Sequence, residues 1–212
     1  MTDHYKNTIA TWKKVAHLYE EKFMDLDIYN ESYTAFSSEI STSDALILEI
    51  GCGPGNITRW LGTNLPQATI LATDVASEMI EVAKKNVDDV QFEVLDARDI
   101  ASLNSKFDAI MCGFCVPYLN KIDLNLLIKN SAALLNTEGI VYLSFIEGDY
   151  SNSRIQTGST TDGSMTVHEY QELDVQEMFE ANSIDQIKSI RVAYPLSDGS
   201  EQIHLILLGR KK

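Results

Sequence analysis

Residues 45–60 read "ALILEIGCGPGNITRW": an apolar run with a single acid, then glycines at 51, 53 and 55, then a helical pattern. A short, continuously apolar run marks a strand covered on both faces, as in a parallel sheet. Glycine admits positive φ and lacks a β-carbon, so the three glycines predict a tight turn whose amides face something that approaches the backbone closely. Beyond them, Asn56 is placed to cap a helix carrying Ile57, Trp60, Leu61 and Leu65, which Pro66 follows.

The alternation continues along the chain. "ATILATD" (68–74) reads as a second strand, Ser77 as the cap of a helix through "EMIEVAKKN", and "VQFEVLD" (90–96) as a third strand. "FDAIMCG" (107–113), a helix from about Asp123 to Leu135, and "GIVYLSFI" (139–146) follow. A βαβ series of this kind predicts an α/β fold, a parallel sheet with helices on both faces. Ahead of it, Ile9, Trp12, Ala16, Tyr19 and Phe23 recur at helical spacing. Residues 30–44 are more polar and end in a turn, "STSD". Segment 147–169, rich in Ser, Thr, Gly and Asp, is too long for an ordinary connection and reads as a lid or a disordered loop. A helix with Leu173, Met178 and Phe179 inward and two strands near 187–194 and 202–209, joined by "PLSDGS", close the chain as a hairpin. The 212 residues make a single domain: a helical cap (1–44), a binding core (45–146), the possible lid (147–169) and the closing helix and hairpin (170–212).

Seventeen basic residues against thirty-one acidic ones give a net charge of -14, spread along the chain. Such a field repels phosphate backbones and anionic lipid surfaces, which argues against a nucleic-acid partner. There is no run of about 18 apolar residues to span a bilayer, and "MTDHYKNTIATWKK" lacks the apolar core of a secretory signal. A cytoplasmic protein with no membrane partner is expected; oligomeric state is not readable. The three cysteines, Cys52, Cys112 and Cys115, suggest no disulfide framework. "CGFC" (112–115) has redox spacing, but its first cysteine ends a strand and Pro117 follows soon after, so the thiols read as small apolar fillers. No metal-ligating set is visible.

In an open parallel sheet ligands bind beyond the carboxyl ends of the strands, where the strand order reverses, and the first strand-to-helix turn lies there. A phosphate loop needs a lysine and Ser/Thr after its last glycine, and none follows Gly55. A dinucleotide fingerprint would place its third glycine at 56, where the chain has Asn56. The acids narrow the choice. Glu49 precedes the glycines, where it can hold loop amides or an ammonium group. Asp74 ends the second strand, where a carboxylate accepts both hydroxyls of a ribose. Asp96 ends the third, where it can accept from an exocyclic amine. Carboxylates at three successive strand ends suit a ligand with adenine, ribose and positive charge but no phosphate, as S-adenosyl-L-methionine is.

"LEIGCGPGN", "ATDVASEMIEVAKKN", "VQFEVLDARDI" and "FDAIMCGFCVPYL" together resemble the motif series of class I S-adenosylmethionine-dependent methyltransferases of the small-molecule type, over about residues 9–146. The resemblance implies a Rossmann-like, doubly wound, seven-stranded and mostly parallel sheet ending in an antiparallel hairpin. It implies that Glu49, Gly51, Cys52, Gly53 and Gly55 shape the methionine side of the pocket. Asp74 would bind ribose, Val75 and Met79 would pack on adenine, and Asp96 with Ala97 would meet its edge. Cys112 and Gly113 would border the reactive methyl group. "WKKVAHLYE" is similar to a helix laid across the cofactor, which nominates Tyr19. By analogy Tyr118 and His168 face the substrate side. The late "FEANSI" departs from the family's helix-then-Gly-Phe pattern.

The implied activity is in-line methyl transfer to a small-molecule acceptor, with S-adenosyl-L-homocysteine as product. No catalytic residue is legible, because an activated methyl donor asks mainly for positioning. The "[DN]PP[YFW]" tetrapeptide of amino-methylating nucleic-acid enzymes is absent. An NAD-dependent oxidoreductase, with Asp74 as its ribose acid, and a non-catalytic S-adenosylmethionine-binding protein are the alternatives.

Overall fold

The computed structural model describes residues 5–157 and 164–212; part of the expected lid, 158–163, lies outside the described residues. In chain order the elements begin with α1 (Tyr5–Phe23), α2 (Asn30–Ser38), β1 (Leu46–Ile50), α3 (Asn56–Asn64) and β2 (Thr69–Asp74). Then come α4 (Ser77–Asn86), β3 (Gln91–Val94), β4 (Phe107–Cys112), α5 (Lys121–Leu134) and β5 (Leu135–Ile146). The chain ends with β6 (Arg154–Thr157), β7 (Ser164–Val167), α6 (Glu172–Ala181), β8 (Ile184–Pro195) and β9 (Glu201–Lys211).

Seven strands form one sheet in the order β3-β2-β1-β4-β5-β9-β8. Pairings from β3 to β5 are parallel, while β9 inserts antiparallel between β5 and β8. The chain winds outward from β1 through β2 to β3, then returns to β4 on the other side of β1. That reversal opens a crevice at the carboxyl ends of β1 and β4.

Strand alternation sorts the core into two layers. Leu48, Ile110, Leu143 and Leu207 pack on one face with Leu127 of α5 and Phe179 of α6. Their neighbours Ile47, Met111, Tyr142 and Leu208 pack on the other with Phe36 and Leu61. A smaller cluster joins Ala16 of α1 to Met79 and Val82 of α4, with Trp12 and Tyr19 against it.

Four local expectations change. Helix α2 occupies part of the polar stretch 30–44, because Tyr29, Tyr33 and Phe36 supply a buried face. Helix α3 is not capped by Asn56; the N-cap is Gly55 in the left-handed conformation (φ 92°), and Asn56 is already helical. Ser77 likewise falls inside α4, whose N-cap Ala76 has its amide held by Asp74 Oδ1 at 2.8 Å. Within 147–169 the described residues build an antiparallel hairpin, β6 with β7, which reaches α1 where Thr11 Oγ1 meets the Ser164 carbonyl at 3.3 Å. At the "FEANSI" departure Ser183 takes φ 58°, a left-handed backbone that glycine adopts without strain. Among the described residues no helix is long and apolar enough to cross a membrane, and no cluster of His, Cys, Asp or Glu could hold a metal ion.

Candidate functional site

A cavity of about 430 Å³ opens at the carboxyl ends of the strands, between the sheet and α1. Gly51, Cys52 and Gly53 form its floor; Asp74, Val75 and Met79 come from the end of β2. Asp96 and Ala97 line it beyond β3, Gly113 beyond β4, and Tyr19 and Tyr118 from above. Eleven of the residues nominated from sequence therefore meet in one space.

The glycine turn is held from behind. The amides of Gly51 and Cys52 both donate to the Thr73 carbonyl, at 2.8 and 2.9 Å. Gly55 N–H donates to the Cys52 carbonyl at 3.0 Å, and Gly53 N–H to Asp74 Oδ2 at 3.0 Å. Position 54 is proline and has no amide to give. The expectation that these amides face a ligand is thus corrected: β2 and the turn itself consume them. The floor presents Cα surface instead, and a β-carbon on Gly53 would stand 3.7 Å from Tyr19.

Gly55 and Glu49 do not line the cavity. A β-carbon on Gly55 would come within 3.2 Å of Val87 and 3.4 Å of Ala83, so its bareness serves the packing of α4. Glu49 is 1% exposed and accepts from Thr58 Oγ1 at 2.7 Å and from the Thr58 backbone amide, so a side chain of β1 satisfies the first turn of α3. Burial pushes its carboxyl up to about 8, with Thr58 opposing and the Asp74 charge adding to the rise. Its Oε1 has no hydrogen-bond partner. Cys112 also lies outside the cavity, fully buried in β4, hydrogen-bonded to Cys115.

Asp74 spans two loops, with Oδ2 on Gly53 and Oδ1 on Ala76. Burial raises its pKa to about 6 against the amides that bond to it. Asp96 is more heavily engaged: Oδ1 takes the Arg98 amide at 2.9 Å and Nε at 3.0 Å, while Oδ2 takes a terminal guanidinium nitrogen at 2.6 Å. Burial alone would raise its pKa, but these bonds hold it below the ordinary value. With two lone pairs per oxygen, only Oδ2 keeps room for another donor. The Arg98 guanidinium also lies over the Tyr5 ring, 4.2 Å from its centre.

The roof is aromatic. Trp12 meets Tyr19 and Tyr118 edge to face, with ring centres 5.2 and 5.0 Å apart, and Tyr19 packs on Phe23 at 4.2 Å. Polar ties hold α1 down: Tyr5 donates to Asp123, and Asn86 Nδ2 bridges Glu20 Oε1 (2.7 Å) and the Pro54 carbonyl (3.0 Å).

His168 is a correction. It does not line the cavity; its amide bonds the Pro117 carbonyl at 2.7 Å, its Nδ1 meets Ser153 Oγ at 2.9 Å, and its ring stacks on Tyr150. The histidine that does line the cavity is His204 on β9, 6% exposed and unmarked by the sequence reading. It stands among Tyr29, Phe114 and Tyr194, which also line the cavity, as do Lys22 and Gln202. A polar ring inside "QIHLILL" was the available signal; Phe114 and Tyr194 carried none.

A model of the methyltransferase domain family matches residues 47–139. The malonyl-[acyl-carrier protein] O-methyltransferase of Bacillus anthracis is 35% identical over 144 residues, 67% of this chain and 47% of that protein. The chain belongs to the class I S-adenosylmethionine-dependent methyltransferases. Two solved structures of this fold are similar over most of their length. One, the 1,6-didemethyltoxoflavin-N1-methyltransferase of Burkholderia thailandensis with bound S-adenosylhomocysteine, has TM-score 0.73 and 18% identity, covering 97% of this chain and 88% of that one. The other, a methyltransferase from Methanosarcina mazei, has TM-score 0.71 and 16% identity, covering 82% and 96%. The chain spans about half the length of the curated relatives it matches.

Proposed function

We propose that this protein transfers the methyl group of S-adenosyl-L-methionine to a small-molecule acceptor and releases S-adenosyl-L-homocysteine. The observation that carries this reading is the floor of the cavity: carboxylates at successive strand ends beside a turn whose amides are all spent. Such a surface accepts hydroxyls and cations. The dinucleotide alternative is disfavoured because Asn56 stands where its third glycine would fall.

The residues fit the cofactor. The Asp74 carboxylate would take ribose hydroxyls, Val75 and Met79 would flank adenine, and the remaining lone pair of Asp96 Oδ2 would meet the adenine edge. When bound, S-adenosyl-L-methionine supplies a methyl group already activated by its sulfonium. The protein's part is to align an acceptor with that group and exclude water. Holding two reactants at attack distance is worth about 7–11 kcal/mol, whereas a base adds about 10²–10⁴-fold. Ligand sites run to about 300–1,000 Å³, and this cavity of about 430 Å³ falls in that range. The free thiols of Cys52, Cys112 and Cys115 suit the reducing cytoplasm.

Calorimetric titration with S-adenosyl-L-homocysteine and NADH in parallel tests the cofactor. S-adenosyl-L-homocysteine binding without NADH binding supports the reading, and the reverse returns the oxidoreductase. A methyl-transfer screen over small-molecule pools, read by S-adenosyl-L-homocysteine release, then separates an enzyme from a protein that only holds the cofactor.

A further inference from the structure

The half of the cavity away from Asp74 has a chemistry of its own. The His204 ring lies nearly parallel to Tyr194 (4.8 Å, 13°) and to Tyr29 (6.0 Å, 9°), and Phe114 closes on it at 4.5 Å. Phe114 holds that place at a cost. Its φ is 56°, a strained backbone rare for a bulky residue, and its amide is fixed on Ser144 Oγ at 2.8 Å.

The hydrogen bonds set the direction of every proton here. His204 Nε2 lies 3.2 Å from Gln202 Oε1, which can only accept, so Nε2 carries the hydrogen. Nδ1 is then the acceptor, and the Tyr29 hydroxyl at 2.7 Å donates to it. With its own proton committed, the Tyr29 oxygen can only accept from a third group. Nearby, Lys22 lies over the rings of Phe23 and Tyr194, at 5.0 and 5.8 Å, and makes no ion pair among the described residues.

Resting on the methyltransferase reading, we propose that Tyr29 and His204 form the proton-accepting end of the acceptor subsite, and that the acceptor is a flat aromatic compound whose nucleophile is a hydroxyl or ring N–H, not a carboxylate. Flat rings suit the stacked walls, and an oxygen that only accepts selects a nucleophile that still carries hydrogen. In the transfer the acceptor's O–H or N–H bond breaks and its electron pair forms the bond to the methyl carbon; the carbon–sulfur pair stays on sulfur as a neutral thioether. The acceptor's proton passes to the Tyr29 oxygen as the Tyr29 proton passes to His204 Nδ1. The cationic charge moves from sulfur to an imidazolium held by Gln202, which later releases its proton to solvent. Burial lowers the pKa of His204 to about 4, so it starts neutral. A weak base suffices because the acceptor hydrogen becomes strongly acidic as the new bond forms.

The test uses protein saturated with S-adenosyl-L-homocysteine, in buffer acidic enough to keep a nitrophenol un-ionised and a nitrobenzoate ionised, and two probes of one shape, para-nitrophenol and para-nitrobenzoate. Calorimetry should show the phenol bound at least about 10-fold tighter, with Tyr29→Phe and His204→Gln each erasing that preference and leaving S-adenosyl-L-homocysteine affinity unchanged. The nitrogen NMR resonance of His204 Nδ1 should move when the phenol binds to the wild type and stay put in Tyr29→Phe. Equal or tighter benzoate binding, no binding of the phenol, or phenol binding indifferent to Tyr29→Phe overturns the proposal. If S-adenosyl-L-homocysteine itself fails to bind the wild type, the methyltransferase reading falls instead. Should His204→Gln not fold, Tyr29→Phe, which keeps the ring, decides alone.

Discussion

Asp74 reaches from the end of β2 to the amide of Gly53, 3.0 Å away, so the residue nominated for the ribose also braces the glycine turn. Asp74→Ala should weaken S-adenosyl-L-homocysteine binding by about 10–100-fold, since a hydrogen bond to a charged group is worth about 1.5–3 kcal/mol. Because burial raises this carboxyl to about 6, it is protonated below that pH and accepts hydroxyls less well. Affinity measured by calorimetry should therefore fall as pH drops through 6 in the wild type. In Asp74→Asn it should stay flat.

Glu49 governs stability more than binding. Its folded pKa of about 8 lies above the ordinary 4.5, so its contribution is fully present below 4.5 and is lost as pH rises through 8. Thermal unfolding at about pH 6 and pH 9 should show the wild type losing stability over that interval. Glu49→Gln, uncharged throughout, should lose less and be the more stable protein at the alkaline end.

The glycines of the turn divide by role. Gly55→Ala meets Val87 and Ala83 at φ 92° and should destabilise the fold by about 1–2 kcal/mol or more. Once folded, it should bind S-adenosyl-L-homocysteine nearly as well as the wild type. Gly53→Ala projects a methyl toward Tyr19 across the cavity, so its loss should be mainly in affinity. Denaturant midpoints and calorimetry on the two variants would show the opposite ranking if these roles were exchanged.

Arg154, Gln156 and Val167 line the cavity from the β6–β7 hairpin, whose far strand is tied to α1 through Thr11. If this hairpin closes over bound ligands, limited proteolysis within 147–169 should slow at least several-fold when S-adenosyl-L-homocysteine and para-nitrophenol are both present. Unchanged cleavage would leave the hairpin a fixed wall.

The parallel core was legible because β1, β2 and β4 are largely buried on both faces and announce themselves as mainly apolar runs broken by few polar residues. Asp74 could be placed from sequence because a strand end fixes a side chain's position before any tertiary packing. The fate of the turn amides could not, since Thr73 competes for them across a strand pairing that no local pattern encodes. Glu49 was assigned to the right turn but the wrong side of it, for the strand's pleat aims it at Thr58. The aromatic half was illegible for a different reason: Tyr29 and Phe114 come from segments far in sequence from the β8–β9 hairpin that carries Tyr194 and His204. They meet only because β9 enters between β5 and β8.

Helix α1 supplies much of the ceiling over the cavity, from Tyr5 to Phe23, and is moored at Asp123, Ser164 and Asn86. The ceiling and its ties belong to one helix, so any widening of the cavity on that side must break contacts to α5, β7 and α4 together.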